Sequence, residues 1–117
     1  MSDNKTISAR LHRLHEFLAF CDKVTKKYPY RIPKSKIRKL KEYKLFLVAA
    51  KDDEILGHIF QELIKFHKEF MGFVDETNNG NQSAAIGMLK KSMETMDKCD
   101  QLMKEVRDKW QSTWSQG

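Results

Sequence analysis

Apolar residues along most of this chain recur at intervals of three and four, which is the spacing of an amphipathic α-helix. The first row comprises Ile7, Leu11, Leu14, Leu18 and Cys21, with Phe17, Phe20 and Val24 beside it. Thr6 or Ser8 is expected to cap the start of this helix. Pro29 disfavours helical backbone at Tyr28, so the helix is predicted to end near Lys27.

A second helix is expected to begin near Ser35, after the connection YPYRIP. Its inner row comprises Ile37, Leu40, Tyr43, Leu47 and Ala50. Between Leu47 and Ile59 the mean direction of the apolar face swings by about 110° around the helix, although the segment AAKDDEIL contains no Gly or Pro. We therefore predict a break at 51–53 with Asp52 or Asp53 as the new cap, while one continuous helix stays the alternative.

The third helix, at about 53–76, has an unusually broad apolar face, which is typical of a central helix. One row comprises Ile55, Ile59, Leu63, Phe66, Phe70 and Phe73, and the neighbouring row comprises Leu56, Phe60, Ile64, Met71 and Val74. The segment ETNNGNQS then predicts a stop, a turn and a new cap at Asn81 or Ser83.

The last helix is predicted at about 83–113. Its apolar row comprises Ile86, Leu89, Met93, Met96, Cys99, Met103, Val106 and Trp110. Four amphipathic helices with connections of a few residues predict an all-α fold, a four-helix and mainly antiparallel bundle that forms one domain over residues 1–117.

Composition narrows the class of protein further. With 117 residues, 40% hydrophobic and 32% charged, the chain is expected to fold by itself. No apolar run approaches the length of a transmembrane helix, and the N-terminus lacks the apolar core of a signal peptide. Cys21 and Cys99 lie on apolar rows, which favours reduced thiols and an intracellular, cytoplasmic protein.

Charge is concentrated in one segment. Residues 23–44 hold ten Lys and Arg residues and one Glu, a net charge of +9, whereas the rest of the chain carries −3. The cations up to Lys27 suit a helix C-terminus, but those from Lys34 onward crowd a helix N-terminus, where the helix dipole disfavours them. Such a cost to local stability suggests that these cations have another use.

We therefore predict a non-enzymatic interaction protein, an adaptor or inhibitor, that docks an acidic protein surface through a basic helix face. Lys34, Arg38 and Lys41 share an outward face, with Arg38 to Glu42 as the one expected internal ion pair. The predicted contact residues are Lys34, Lys36, Arg38, Lys39, Lys41, Arg31, Tyr28, Tyr30 and Trp114.

The same basic face leaves other partners open. A nonspecific nucleic-acid-binding protein is the main alternative, since Lys and Arg bind phosphates and tyrosines stack on bases. An anionic membrane surface is a third, because Leu45, Phe46 and Val48 follow the basic residues, although we expect these apolar residues to serve the core. The oligomeric state stays open.

Histidine spacing raises a metal hypothesis. His12 with Glu16 and His58 with Glu62 share a His-x-x-x-Glu spacing that resembles hemerythrin-like bundles, which implies a metal-binding bundle as a minor alternative. Such bundles need several further histidines, and His67 lies about 180° around its helix from His58. We predict no catalytic residue, metal ligand or cofactor.

Overall fold

The computed structural model of the protein describes the backbone of residues 4–116 and the side chains of residues 5–109. It contains four helices: α1 (Asn4–Lys27), α2 (Lys34–Ala50), α3 (Gly57–Asn78) and α4 (Gln82–Gln116). The predicted all-α bundle is confirmed, with α2 and α3 as separate helices. Thr6 and Ser8 lie inside α1, so neither is the cap that we predicted. Of the two residues predicted to cap the last helix, Ser83 lies inside α4 and Asn81 immediately precedes it. None of the described helices has the length and apolar character needed to span a bilayer.

Helices α3 and α4 form an antiparallel hairpin. Glu69 on α3 accepts a 2.5 Å hydrogen bond from the Thr95 hydroxyl on α4. Nearer the start of α3, Glu62 pairs with Lys98, with 3.2 Å between the charged atoms. As residue numbers rise along α3, the residues that they contact on α4 have falling numbers, so the two helices run antiparallel, as the short turn between them requires.

Helix α1 packs on α2 and α3 through aromatic rings. The ring of Phe17 lies 5.1 Å from that of Tyr43 on α2 and 5.8 Å from that of Phe66 on α3. On the neighbouring side of α2, the Phe46 ring meets Phe60 of α3 edge-on at 5.3 Å. These rings fill the space between three helices, and such pairs add about 0.5–1.5 kcal/mol each beyond the area that they bury.

The turn between α2 and α3 is organised by Asp53. Its Oδ1 accepts hydrogen bonds from the amides of Ile55, at 2.9 Å, and Leu56, at 2.8 Å. Its other carboxylate oxygen pairs with Arg10 of α1. At Gly57 an added Cβ would lie 2.8 Å from a backbone carbonyl of the same turn, so only glycine fits there without a shift. The predicted break is thus confirmed, but α3 begins four residues later than predicted, and its N-cap is Leu56 rather than Asp52 or Asp53.

A glycine ends α3 at the opposite end of the hairpin. Gly80 has a φ of +80°, the left-handed conformation that favours glycine. Its amide donates to the carbonyl of Thr77 at 3.1 Å, and the amide of Asn81 donates to that of Glu76 at 2.9 Å. This is a Schellman motif, and it satisfies the last carbonyls of α3 while it reverses the chain.

Asn78, in the last turn of α3, binds the connection between α1 and α2. The Ile32 amide donates to Asn78 Oδ1 at 2.7 Å, and Asn78 Nδ2 donates to the Ile32 carbonyl at 3.1 Å. Ile32 is buried, so this side-chain amide satisfies backbone groups that water reaches poorly. Asn78 therefore fixes the point from which α2 starts.

The apolar row predicted for α4 is partly wrong. Ile86 and Met93 are 55% and 58% exposed, and Ile55 is also exposed because it lies in the turn before α3. Cys99 and Met103 of the predicted row are buried, as are the small residues Ala85, Ser92 and Thr95, which the row did not include. Trp110 of that row lies outside the described side chains. Gly72 of α3 lies directly against the Met88 side chain, so the two helices approach closely. Small residues rather than large ones therefore form much of this seam.

A basic and apolar face on the second helix

The N-terminus of α2 carries positive charge on an uncapped helix end. Helix α2 follows Pro33, whose side chain gives no capping hydrogen bond, and its first turn contains no acidic residue. The Pro33 carbonyl accepts only from the amides of Lys36 and Ile37, at 3.1 and 3.2 Å. Lys34 is exposed at the first position. The helix dipole and the Lys34 side chain therefore both contribute positive potential at the N-terminus of α2.

One exposed row runs along α2, opposite its buried face. Lys34, Arg38 and Lys41 are all exposed, as their spacing of four and three predicts. The same spacing continues to Leu45 and Val48, which are 73% and 40% exposed. These five residues are called the outer row of α2 below. The row is basic over its first half and apolar over its second.

Within α2, the residues that our interpretation of the sequence misplaced are Leu45 and Val48. We expected both to serve the core with Phe46, but of the three only Phe46 packs against it. The sequence already indicated their exposure, because both residues continue the row of cations at intervals of four and three. Large apolar side chains are assigned to the core by default, although a folded surface always contains some.

Two of the predicted contact residues lie beside the row rather than in it. The Nζ atoms of Lys36 and Lys39 lie 5.8 and 4.9 Å from the centre of the Phe20 ring on α1. A cation over an aromatic face is stabilised by about 0.5–1 kcal/mol at exposed sites. These two lysines therefore have a structural partner that the outer-row cations lack.

The connection before α2 presents a mixed group. Arg31 is exposed, and the side chain of Tyr30 is 75% exposed. Tyr28 is half-buried against the core, with Nζ of Lys27 at 5.8 Å from its ring centre. The predicted contact Trp114 lies outside the described side chains. Of the predicted aromatic contacts that are described, Tyr30 alone offers most of its ring to a partner.

The cations of the outer row have no carboxylate partner among residues 5–109. Ion pairs found there include Arg10 with Asp53, Lys26 with Asp22 and Lys98 with Glu62. The His12 ring also lies 3.1 Å from the Glu16 carboxylate. The expected pair between Arg38 and Glu42 is not formed. Arg38, Lys34 and Lys41 thus keep their charge for solvent or for a partner.

A cavity of about 400 Å³ lies between α1 and α2, to one side of the outer row. Its lining residues are Ala9, His12, Arg13, Glu16, Lys39, Glu42 and Tyr43. Burial, and then the nearby Glu16 carboxylate, raise the pKa of Tyr43, so its phenol stays neutral. Acids and bases are nearly balanced on these walls, and the cavity therefore does not extend the basic surface.

Histidines and thiols occupy ordinary structural positions. His67 is buried and its Nε2 donates to the Leu40 carbonyl at 2.7 Å, and burial lowers its pKa. His12 pairs with Glu16 at 3.1 Å. Cys21 and Cys99 are unpaired and buried, and burial raises the pKa of Cys99 to about 12. Across the described chain, no three His, Cys, Asp or Glu side chains gather as metal ligands would.

Protein-family models, curated proteins and solved structures were all compared with the chain, and none of the three gives a match. A functional assignment therefore depends on the chemistry of the outer row and of the surfaces around it.

Proposed function

We propose that the protein is a small, non-enzymatic interaction protein that docks an acidic partner protein through the outer row of α2. One observation carries the proposal: Leu45 and Val48 lie exposed on the same face as three cations that have no carboxylate partner among residues 5–109. Neither feature helps the chain to fold. A partner that supplies carboxylates and an apolar surface would satisfy both.

The spacing of the row favours a helical partner. Side chains at alternating intervals of four and three form a straight ridge that fits between the side chains of a second helix. A matching partner helix carries Asp or Glu opposite Lys34, Arg38 and Lys41, and apolar side chains opposite Leu45 and Val48. Electrostatic attraction would steer the two helices together and set their direction.

Nucleic acid fits the row less well. A phosphate backbone complements the cations, but it offers nothing apolar to the half of the row that contains Leu45 and Val48. Base stacking needs accessible rings, and Tyr28 is half-buried while Tyr43 is buried. These placements support a protein partner over the nucleic-acid alternative.

An anionic membrane surface also fits less well. Helices that lie in a membrane interface bury an apolar stripe along their whole length, with cations on the flanks. In α2 the large exposed apolar side chains are Leu45 and Val48, both near one end of the helix. The rest of its apolar side is packed in the bundle.

The test uses a fluorescent synthetic helical peptide with Glu and Leu at heptad spacing on one face. We expect fluorescence anisotropy to show binding by the wild type. The triple variant Lys34→Glu, Arg38→Glu, Lys41→Glu should bind at least ~10-fold more weakly. The double variant Leu45→Ser, Val48→Ser should weaken binding several-fold, because it removes the apolar half of the contact. The melting temperature of the triple variant should equal or exceed that of the wild type.

A matched triple variant, Lys65→Glu, Lys68→Glu, Lys90→Glu, makes the same change in net charge at exposed positions outside α2 and should bind normally. If the wild type binds random-sequence RNA or DNA and the variant Leu45→Ser, Val48→Ser binds it equally well, the nucleic-acid alternative is established instead. Cosedimentation with phosphatidylserine vesicles would indicate a membrane surface. A wild type that binds none of these probes would refute the proposal, and unfolding of the α2 triple variant would show that its cations are structural.

A further inference from the structure

Charges at both ends of α2 oppose the helix dipole. The first turn contains no acidic residue and the last turn contains no basic one. The C-cap itself is a favourable cation, Lys51. Just beyond it, Asp52 and Glu54 are exposed and form no ion pair with any residue in 5–109. Carboxylates at a helix C-terminus are disfavoured, as cations are at the N-terminus. Carboxylates would be favourable at the N-terminus of α2, and cations would be favourable at its C-terminus.

The outer row continues one step further, to Asp52. Lys51 keeps helical backbone, with φ −64° and ψ −22°, so Asp52 follows Val48 at the next interval of four. Lys51 itself lies about 100° around the helix from Asp52 and so points away from the row. From start to end the face therefore presents cations, two apolar side chains and a carboxylate.

That order makes the face complementary to itself. If two copies of α2 pack antiparallel about a two-fold axis between Leu45 and Val48, each Leu45 meets Val48 of the second copy. Lys41 then faces Asp52 of the second copy, and this pair occurs twice. We propose that α2 mediates a two-fold symmetric dimer of this protein through these contacts. The inference rests on the proposed function, because it names a second copy of the chain as an occupant of the same face.

The symmetry of the contact has a physical basis. A two-fold axis uses one patch on both copies, so every favourable pair is formed twice. The next positions outward bring Arg38 towards the turn that contains Glu54 of the second copy. The positive N-terminus of each helix also lies towards the carboxylates of the other, which reverses the unfavourable dipole terms within each copy.

The size of the contact sets its expected strength. Helix α2 has 17 residues, a length of about 26 Å at 1.5 Å per residue. One such helix from each copy buries less than the ~1,200 Å² of a standard interface. We therefore expect a weak dimer whose population depends on protein concentration. High salt should weaken it, because the paired charges lie at the edge of the contact.

Sedimentation equilibrium on the full chain tests the dimer. Lys41→Glu alone places Glu opposite Asp52 in both pairs, and Asp52→Lys alone places Lys opposite Lys41. Each variant should dimerise at least ~10-fold more weakly than the wild type. When the two variants are mixed, both pairs become oppositely charged again. The mixture should regain association within ~3-fold of the wild type, which repulsion or misfolding within one chain cannot produce.

Lys65→Glu and Asp97→Lys, at exposed positions away from the row, serve as charge-matched controls and should leave self-association unchanged. Thermal melts check that every variant is folded. If the wild type dimerises but the mixture of Lys41→Glu and Asp52→Lys does not, the dimer uses another face and the inference fails. A monomeric wild type that still binds the acidic peptide overturns the dimer and leaves the proposed function intact. A monomer that also ignores the peptide overturns both.

Discussion

The two faces of α2 differ in how completely the protein uses them. On the inner face Leu40 and Leu47 are fully buried, and the carbonyl of Leu40 accepts a hydrogen bond from His67. On the outer row the three cations have no carboxylate partner among residues 5–109, and the two apolar side chains are exposed. The inner face thus holds α2 in the bundle, while the outer row leaves the helix with chemistry to offer to another molecule.

The sharpest test of this contrast uses two leucines two residues apart. Leu47 is fully buried and Leu45 is 73% exposed. We expect Leu47→Ala to reduce the free energy of unfolding by about 2–5 kcal/mol, because it removes packed methyl groups and leaves a cavity. Leu45→Ala should change it by less than ~0.5 kcal/mol. Urea titration measures both, and equal losses in the two variants would contradict the contrast.

Asn78 tests how firmly the start of α2 is held. Asn78→Ala removes both hydrogen bonds to the Ile32 backbone, and should reduce the free energy of unfolding by about 1–3 kcal/mol. Asn79→Ala is the matched control, since Asn79 is exposed and its side chain makes no such bond to the loop. Urea titration that ranks the control as the more damaging change would show that the loop is held by other contacts.

His67 ties the inner face to pH. Burial, with Lys44 nearby, lowers its pKa from the ordinary 6.5, although the hydrogen bond to Leu40 opposes the shift. The unfolded chain therefore takes up this proton first, so stability should be lost as pH falls below about 6.5 and towards the lower folded pKa, on the order of 1 kcal/mol per pH unit.

The variant His67→Gln keeps an N–H donor for Leu40 but does not titrate. Its thermal stability should therefore vary less than that of the wild type between pH 7.5 and pH 5.5, a window of about two units below which carboxylates take over. A wild type and a variant with parallel pH profiles would show that another group is responsible.

The smallest expected effect is a gain in stability. Lys34→Glu places a carboxylate at the uncapped N-terminus of α2, where the dipole favours it by about 0.3–1 kcal/mol. Lys65→Glu makes the same change in the middle of α3 and should bring no such gain. The difference between their melting temperatures should shrink in 1 M salt, where the screening length is ~3 Å. A loss of stability in Lys34→Glu would mean that the lysine has an internal partner.

The sequence predicted those parts of the fold that depend on local pattern. The four helices, the separation of α2 from α3 and the turn at Gly80 all follow from apolar spacing and from turn-forming residues. The buried face of α4 does not follow from apolar spacing. Its row was assigned from large residues such as Ile86 and Met93, but those two are exposed, whereas the small residue Ser92 is buried and the Met88 side chain packs against Gly72.

The candidate site shows the same limit. The exposed positions of Lys34, Arg38 and Lys41 could be predicted, because charged residues three and four apart share a helix face. The partners of Lys36 and Lys39 could not, because Phe20 lies on another helix and no local pattern brings it near. Exposure of Leu45 depends on which neighbours surround α2, and that is also a property of the assembled bundle.

The hydrogen bonds between Asn78 and Ile32 join positions 46 residues apart, whereas the α3–α4 hairpin closes through a turn of a few residues. Closing a short loop costs less chain entropy, so we expect the hairpin to assemble first during folding. Asn78 then completes its bonds only when α1 and α2 arrive. The pair of hydrogen bonds between Asn78 and Ile32 is therefore expected to form late in folding. Protection of the Ile32 amide from hydrogen exchange should develop after that of the hairpin amides.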